Sequence, residues 1–362
     1  MESIKFLMSL IDTLHMGFYL KENNLTEEDY QYLDDCKQRV REQGIETAGM
    51  IEFKGKYWKM TSAKKIYRYV LYNDDLTVKI ARKLSNGIYP EVFVEFRSRL
   101  LLGGLKDAYS IAREWIEKWA VIASEKVSRA DITADFQGVI NINPECVVTR
   151  GRNNECHYAE YRNGQNITGY SYGSHNMLLR TYDKTLEIEK KRKQYIKDLW
   201  IQKGWDRETH VWRVESQLGR DILKQFQVET LQDLIDHAPD IWRYLTTKWF
   251  TVREKSKIDA TRSRWAISEM WKIVQDSFKS LGELSGIVRE KIRHVRLGNL
   301  MPQVAGLVTS CMALLQREKI DVTELMRLIV RNYRKKGKTI EQVIEEKMQG
   351  YALFEESYEG AI

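Results

Sequence analysis

Four prolines among 362 residues leave no room for a proline-rich linker. No apolar run approaches the roughly 20 residues that span a bilayer, so no membrane association is expected. The four cysteines, Cys36, Cys146, Cys156 and Cys311, form no C-x-x-C pair and stand at no zinc spacing to histidine. They are expected as reduced thiols in a cytoplasmic protein. The six histidines are scattered, with no H-x-H, H-E-x-x-H or H-x-x-E-H, which argues against a histidine-rich metal site. Residues 1–20 carry Glu2, Lys5, Asp12 and His15 and show no small-residue cleavage site, so a signal peptide is not expected there. No internal sequence repeat and no low-complexity tract is visible.

Hydrophobic residues make up 43% of the chain and aromatics 11%, with 10 Trp and 19 Tyr. Such a chain buries a sizeable core, which excludes wholesale disorder. Its length suggests two domains, or one large domain with an appendage. The net charge of +7 is unevenly spread. Residues 240–340 hold 21 Lys and Arg against 10 Asp and Glu, residues 341–362 hold one against six, and residues 1–239 are nearly balanced at 36 against 35. A basic segment of this kind suits a polyanion, because Lys and Arg release condensed counterions from nucleic acid. A solvated charged surface is the plainer alternative.

The first 239 residues mix strand and helix patterns. Strands are expected over residues 12–20, 67–72, 76–82, 91–98, 127–136, 155–162, 166–172, 176–182 and 210–218. Helices are expected over 26–43, with Thr26 as N-cap and acids in the first turn, over 104–123, whose apolar residues recur every three or four positions, and over 183–200. Asn163-Gly164 signals a hairpin, since both residues tolerate positive φ. Residues 240–350 read as successive helices over 241–255, 263–280, 283–297, 303–316, 322–335 and 340–348, punctuated by Gly and by Pro302. The expectation is therefore an α+β fold: a largely antiparallel sheet with helices on one face and a charged catalytic face, spanning 1–239. A basic all-helical domain would span 240–350, and an acidic tail 351–362.

The charged face follows from period-two alternation. Arg129, Asp131, Thr133 and Asp135 share one side of their strand, opposite Ala130, Ile132, Ala134 and Phe136. Glu95 and Arg97 oppose Val94 and Phe96, and Arg213, Glu215 and Gln217 oppose Trp212 and Val214. Arg180 and Tyr182 share a side together with Leu178. Asp131 and Asp135 lie about 13 Å apart by the strand rise, too far to share one ion on a straight strand. One of them, joined by Glu215 or Glu95, would form an all-oxygen site suited to Mg²⁺ or Mn²⁺. Such an ion polarises a phosphoryl oxygen, while arginines stabilise transition-state charge. The alternative for both aspartates is salt bridging to Arg129, Arg97 or Arg213. Tyr182 needs a metal, a base or cationic neighbours such as Arg180 to act as a nucleophile, and its alternative is simple space-filling. A tyrosine suits phosphodiester chemistry because the phosphotyrosine conserves the bond energy for later rejoining.

Gly173-Ser174-(x5)-Arg180-Thr181-Tyr182-Asp183-Lys184-(x2)-Glu187 resembles the tyrosine motif of the replication initiation factor family, which holds rolling-circle initiators and conjugative-element relaxases. Ser128-Arg129-Ala130-Asp131-Ile132-(x2)-Asp135-Phe136 resembles the family's acidic strand, and Trp212-Arg213-Val214-Glu215 with Arg220-Asp221 its Arg-x-Glu strand. The resemblance covers roughly residues 10–230. It implies a metal-dependent DNA-nicking and strand-joining enzyme that leaves a 5′-phosphotyrosine link at an origin. Tyr182, Arg180, Arg129, Arg213 and Lys184 would be catalytic, and Asp131, Asp135, Glu215 and Glu95 would be the metal ligands. DNA contacts are expected from Arg97, Arg289, Arg293, Arg296, Arg331, Arg334, Lys335 and Lys336. The DNA would be an origin with a single-stranded or hairpin nick site, and a host helicase and a second copy of the chain are the further partners considered. The functions competing with a rolling-circle replication initiator are a relaxase of a conjugative element and an origin-binding protein that has lost catalysis.

Overall fold

The computed structural model describes residues 4–62, 66–85, 87–151, 157–174, 176–191, 193–289, 297–316, 321–335 and 337–348. The chain divides into two compact units, Met1–Arg289 and Glu290–Ile362.

The first unit begins with a long strand, β1 (Lys5–Asn23), followed by helices α1 (Glu27–Gln43) and α2 (Ile45–Ala48). Thr26 caps α1 as its sequence demands, in a reciprocal capping box with Asp29. A meander follows: β2 (Met50–Phe53), β3 (Lys56–Ser62), β4 (Tyr67–Tyr72), β5 (Leu76–Ala81) and β6 (Val92–Phe96). Helices α3 (Ser98–Leu102) and α4 (Leu105–Glu117) lead to a second long strand, β7 (Ala120–Gln137). Then come β8 (Val147–Thr149), β9 (His157–Asn163), β10 (Asn166–Ser174) and β11 (Met177–Asp183). After them stand α5 (Lys184–Lys191), α6 (Tyr195–Gln202), β12 (Val211–Gly219), α7 (Arg220–Gln225) and α8 (Leu231–Tyr244). Strand β13 (Phe250–Val252) and helix α9 (Glu269–Asp276) follow in this unit.

Eleven strands form one sheet in the order β2-β3-β4-β5-β6-β1-β7-β12-β11-β10-β9, antiparallel at every pairing. The order reveals a duplication that no sequence repeat announces. Each half has a long strand, β1 or β7, and a meander whose last strand, β6 or β12, returns beside it. Each half then closes with a short helix and a longer one, α3–α4 or α7–α8. The two long strands pair antiparallel at the centre.

One face of the sheet carries the main core. Val78, Val94, Ile132, Ala134, Val214 and Leu179 are buried there with α1, α4 and α8, whose apolar stripes supply Leu33, Trp115, Leu234 and Trp242. A second, smaller cluster of Leu7, Ile188, Ile196, Trp200, Trp205 and Val211 sits on the opposite face. Helices α5 and α6 therefore roof one end of the charged face, where all helices had been expected on the other side.

Several boundaries move. The helix expected over 183–200 is two helices, α5 and α6. The hairpin between β9 and β10 pairs Asn163 with Asn166, so Gly164, at φ +62°, and Gln165 make the turn. Pro239 does not end a domain: it lies inside α8, nine residues into the helix. Residues 250–252 are a strand paired with β8, not helix. Helices α8 and α9 bury Trp242 and Trp271 in the main core, so residues 240–289 belong to the first unit. The second unit contains helices α10 (Leu297–Leu314), α11 (Val322–Lys335) and α12 (Ile340–Met348). Residues 351–362, expected as a tail, lie outside the described residues, as do His175 and Cys156.

Candidate active site

Register brings the sequence motifs into adjacent rows on the charged face. Tyr182 of β11 stands opposite Arg213 of β12, which stands opposite Asp135 of β7. Arg180 stands opposite Glu215, and Glu215 opposite Thr133.

The Tyr182 hydroxyl donates to Glu215 Oε2 at 2.8 Å, and Lys184 Nζ lies 3.4 Å from the same hydroxyl. Arg180 binds the other oxygen of Glu215 through Nη2 and reaches Asp131 at 3.6 Å. Arg129 grips Asp131 with two hydrogen bonds of 2.8 and 2.6 Å. Lys184 is buried beside Glu187 at 2.5 Å. A tyrosine hydroxyl, a carboxylate within reach of its proton and a guanidinium that holds the carboxylate thus occur together.

Burial raises the Tyr182 phenol well above its ordinary value, and the Glu215 charge adds to the effect. The tyrosine is therefore a phenol at neutral pH. Burial also raises the Asp131 carboxyl; Glu215 adds to this, while Arg129 and Arg180 oppose it. Lys184 is lowered by burial and by Arg213, against the pull of Asp12 and Glu187.

Beneath this group lies a second one. Arg213, with no exposed surface, makes bonds of 2.6 and 2.8 Å to Asp135 and reaches Asp12 at 3.1 Å. Trp200 Nε1 on α6 donates to Asp135 Oδ2 at 2.8 Å. Burial works to raise Asp12, but Arg213, Lys184 and Lys193 outweigh it and hold the carboxyl at about 2. This cluster pins the α5–α6 roof to the sheet.

The metal set expected from the sequence does not assemble. Among the described residues no three His, Cys, Asp or Glu side chains are placed to hold an ion. Asp135 is filled by Arg213 and Trp200 and Asp131 by Arg129. Glu95 is paired with Lys79 at 2.5 Å, four strands away from Arg180. The acid left nearest Asp131 is Glu215, and Arg180 stands between them. The residues present therefore do not fit an all-carboxylate ion site, and the salt-bridge alternative accounts for Asp131 and Asp135. Arg213 is likewise a buried ion-pair partner, not a group facing a substrate.

Of the expected DNA contacts, Arg97 is exposed just beyond β6 and donates to Thr77 Oγ1 at 3.1 Å. Arg289 instead straps the first unit, donating to Gln225 and Tyr244 at 2.9 Å each. Arg331, Arg334 and Lys335 are exposed on α11, and the first two share a face with Arg327, Met326 and Val330. Arg293, Arg296 and Lys336 lie outside the described residues. Sequence reasoning missed Asp12, Trp200 and Gly169. Asp12 was legible as a lone carboxylate inside an apolar strand. Gly169 stands opposite Tyr182, and a Cβ there would meet Tyr182 Cβ and the Thr181 carbonyl oxygen at 2.9 Å, so glycine leaves the tyrosine its place.

No family model and no curated protein matches the chain. Among solved structures it is similar to a rolling circle replication initiator protein from Geobacillus stearothermophilus, at 14% identity and a TM-score of 0.43, over 78% of this chain and all of that one. A likeness this distant assigns no role to any residue, and no helix among the described residues is long and apolar enough to cross a membrane.

Proposed function

We propose that this protein nicks and rejoins DNA through Tyr182, as a rolling-circle replication initiator does. The observation that carries the reading is the hydrogen bond from the Tyr182 hydroxyl to Glu215, with Arg180 on the far carboxylate oxygen and Lys184 beside the phenol.

In this reading Tyr182 Oη attacks a backbone phosphorus as its proton passes to Glu215 Oε2. The new bond is Oη–P and the broken bond is P–O3′. The departing 3′ oxygen takes a proton from solvent, and the strand is left joined to the protein through a 5′-phosphotyrosine. In the reverse step a 3′ hydroxyl gives its proton to solvent and attacks that phosphorus; the O3′–P bond forms, the Oη–P bond breaks, and Tyr182 leaves with the proton held on Glu215. Lys184 and Arg180 place positive charge where a phosphate would approach, which stabilises the transition state. A divalent ion at this site would have to displace Arg180 from Asp131 and Glu215. Chelator sensitivity of the adduct measures that displacement.

The test is adduct formation on supercoiled DNA carrying candidate origins. Wild type is expected to give nicked circles with protein on the 5′ end, and Glu215→Gln to slow nicking by about 10²- to 10⁴-fold, the usual yield of a general base. Unchanged nicking in Glu215→Gln would remove the base from the reading. The same arrangement serves a conjugative relaxase, whose chemistry is identical and whose substrate context differs.

A further inference from the structure

The half of the sheet away from Tyr182 has its own polar face. Pairing runs in one row across six strands: Lys59, Tyr72, Thr77, Glu95, His15 and Arg129. At the spacing of neighbouring strands the row is about 24 Å long. It ends at Arg129, the residue that grips Asp131 beside the candidate nucleophile.

The outer end of the row is a concavity of about 440 Å³. Tyr57, Tyr72, Lys59 and Arg97 line it, with Asp74 the acid among its lining residues. Tyr57, at the start of β3, is 68% exposed. Tyr57 and Tyr72 are diagonal neighbours across the β3–β4 pair, about 7–8 Å apart, within reach of two successive bases. Among the described residues neither Lys59 nor Arg97 makes an ion pair, unlike Lys79 nearby, which is spent on Glu95. Helices α1 and α4 pack on the opposite face here, where Trp58 meets Trp115.

An exposed and a half-buried ring interleaved with cations outside any ion pair, on a sheet face whose row ends beside Asp131, describe a single-strand binding platform. We propose that the β2–β6 half of the sheet binds single-stranded DNA, with bases stacked on Tyr57 and Tyr72 and phosphates on Lys59 and Arg97. The strand then runs along the row toward Arg129 and Tyr182. This rests on the proposed nicking function for the direction of the strand, and not for the platform itself.

The experiment measures binding of a fluorescent oligothymidylate to the full chain by anisotropy at several salt concentrations. Tyr57→Ala with Tyr72→Ala is expected to weaken binding by about tenfold or more, since each stacked base is sensitive to loss of its ring. Tyr57→Phe with Tyr72→Phe should restore it, because the ring and not the hydroxyl does the stacking. Lys59→Gln should flatten the salt slope by about 0.7, the effect of neutralising one phosphate fewer on a single strand. Wild-type affinity and slope in the alanine and Lys59 variants would overturn the platform, as would preference for a protein or for duplex over the oligothymidylate. Adduct formation is scored on the same proteins. Ring-independent binding with intact adduct strikes only the platform. Ring-dependent binding without any adduct strikes only the nicking chemistry.

Discussion

At the scale of single residues, two tyrosine-and-histidine environments set the expected pH behaviour. Tyr182 is not ionised at neutral pH, so the proposed attack requires Glu215 to take its proton. His15 is the other case. It faces Glu95, Arg129, Lys79 and Phe93, and burial, joined by the two cations and opposed by Glu95, lowers it to about 4. A histidine lowered from 6.5 binds its proton more readily in the unfolded chain. Its contribution is therefore complete above about pH 6.5 and lost as pH falls toward about 4. Allowing for its partial exposure, the loss is on the order of 2 kcal/mol. His15→Gln cannot titrate, so its stability should fall less than wild type's between about pH 7.5 and about pH 5 in urea unfolding. Parallel losses in the two proteins would count against the burial argument. The alternation of Arg129, Asp131, Asp135, Arg213 and Glu215 was legible at this scale, because period two is a property of any strand. Their pairing was not, since the register that sets Arg213 on Asp135 depends on strands far apart in sequence.

At the scale of elements, the α5–α6 roof divides the charged face into a buried ion-pair layer and an open site. The sequence showed one charged helix after Tyr182. It could not show that Ile188, Ile196 and Trp200 would turn back onto the sheet, because their partners Leu7 and Val211 lie on distant strands. That folding back is what turns Asp135 from a candidate ligand into an anchor. Asp135→Asn leaves Arg213 buried with its bidentate partner weakened, and breaking a buried pair costs about 3–5 kcal/mol. We expect a lowered melting temperature and detachment of α6 from the sheet, reported by Trp200 fluorescence. A fully stable Asp135→Asn would show that the carboxylate is not the anchor.

At the scale of the whole molecule, the proposed chemistry falls in the first unit, while the basic stretch of residues 290–340 falls in the second. Residues 290–340 hold eleven Lys and Arg against four Asp and Glu, and residues 341–362 one against six, so the second unit is a basic stretch followed by an acidic one. A chain ending at Arg289 is expected to fold and to keep cleavage of a single-stranded origin oligonucleotide, because α8, α9 and the core tryptophans remain. Its affinity for duplex DNA should drop and its salt dependence flatten by about 0.9 for each phosphate it no longer neutralises. Equal slopes in the short and full chains would instead make α10–α12 a protein-docking segment. The measurement that bears most directly on the account is peptide mass mapping of the covalent protein–DNA adduct. A nucleotide is expected on the peptide containing Tyr182, absent from Tyr182→Phe. An adduct on any other residue, or one that persists in Tyr182→Phe, would contradict it.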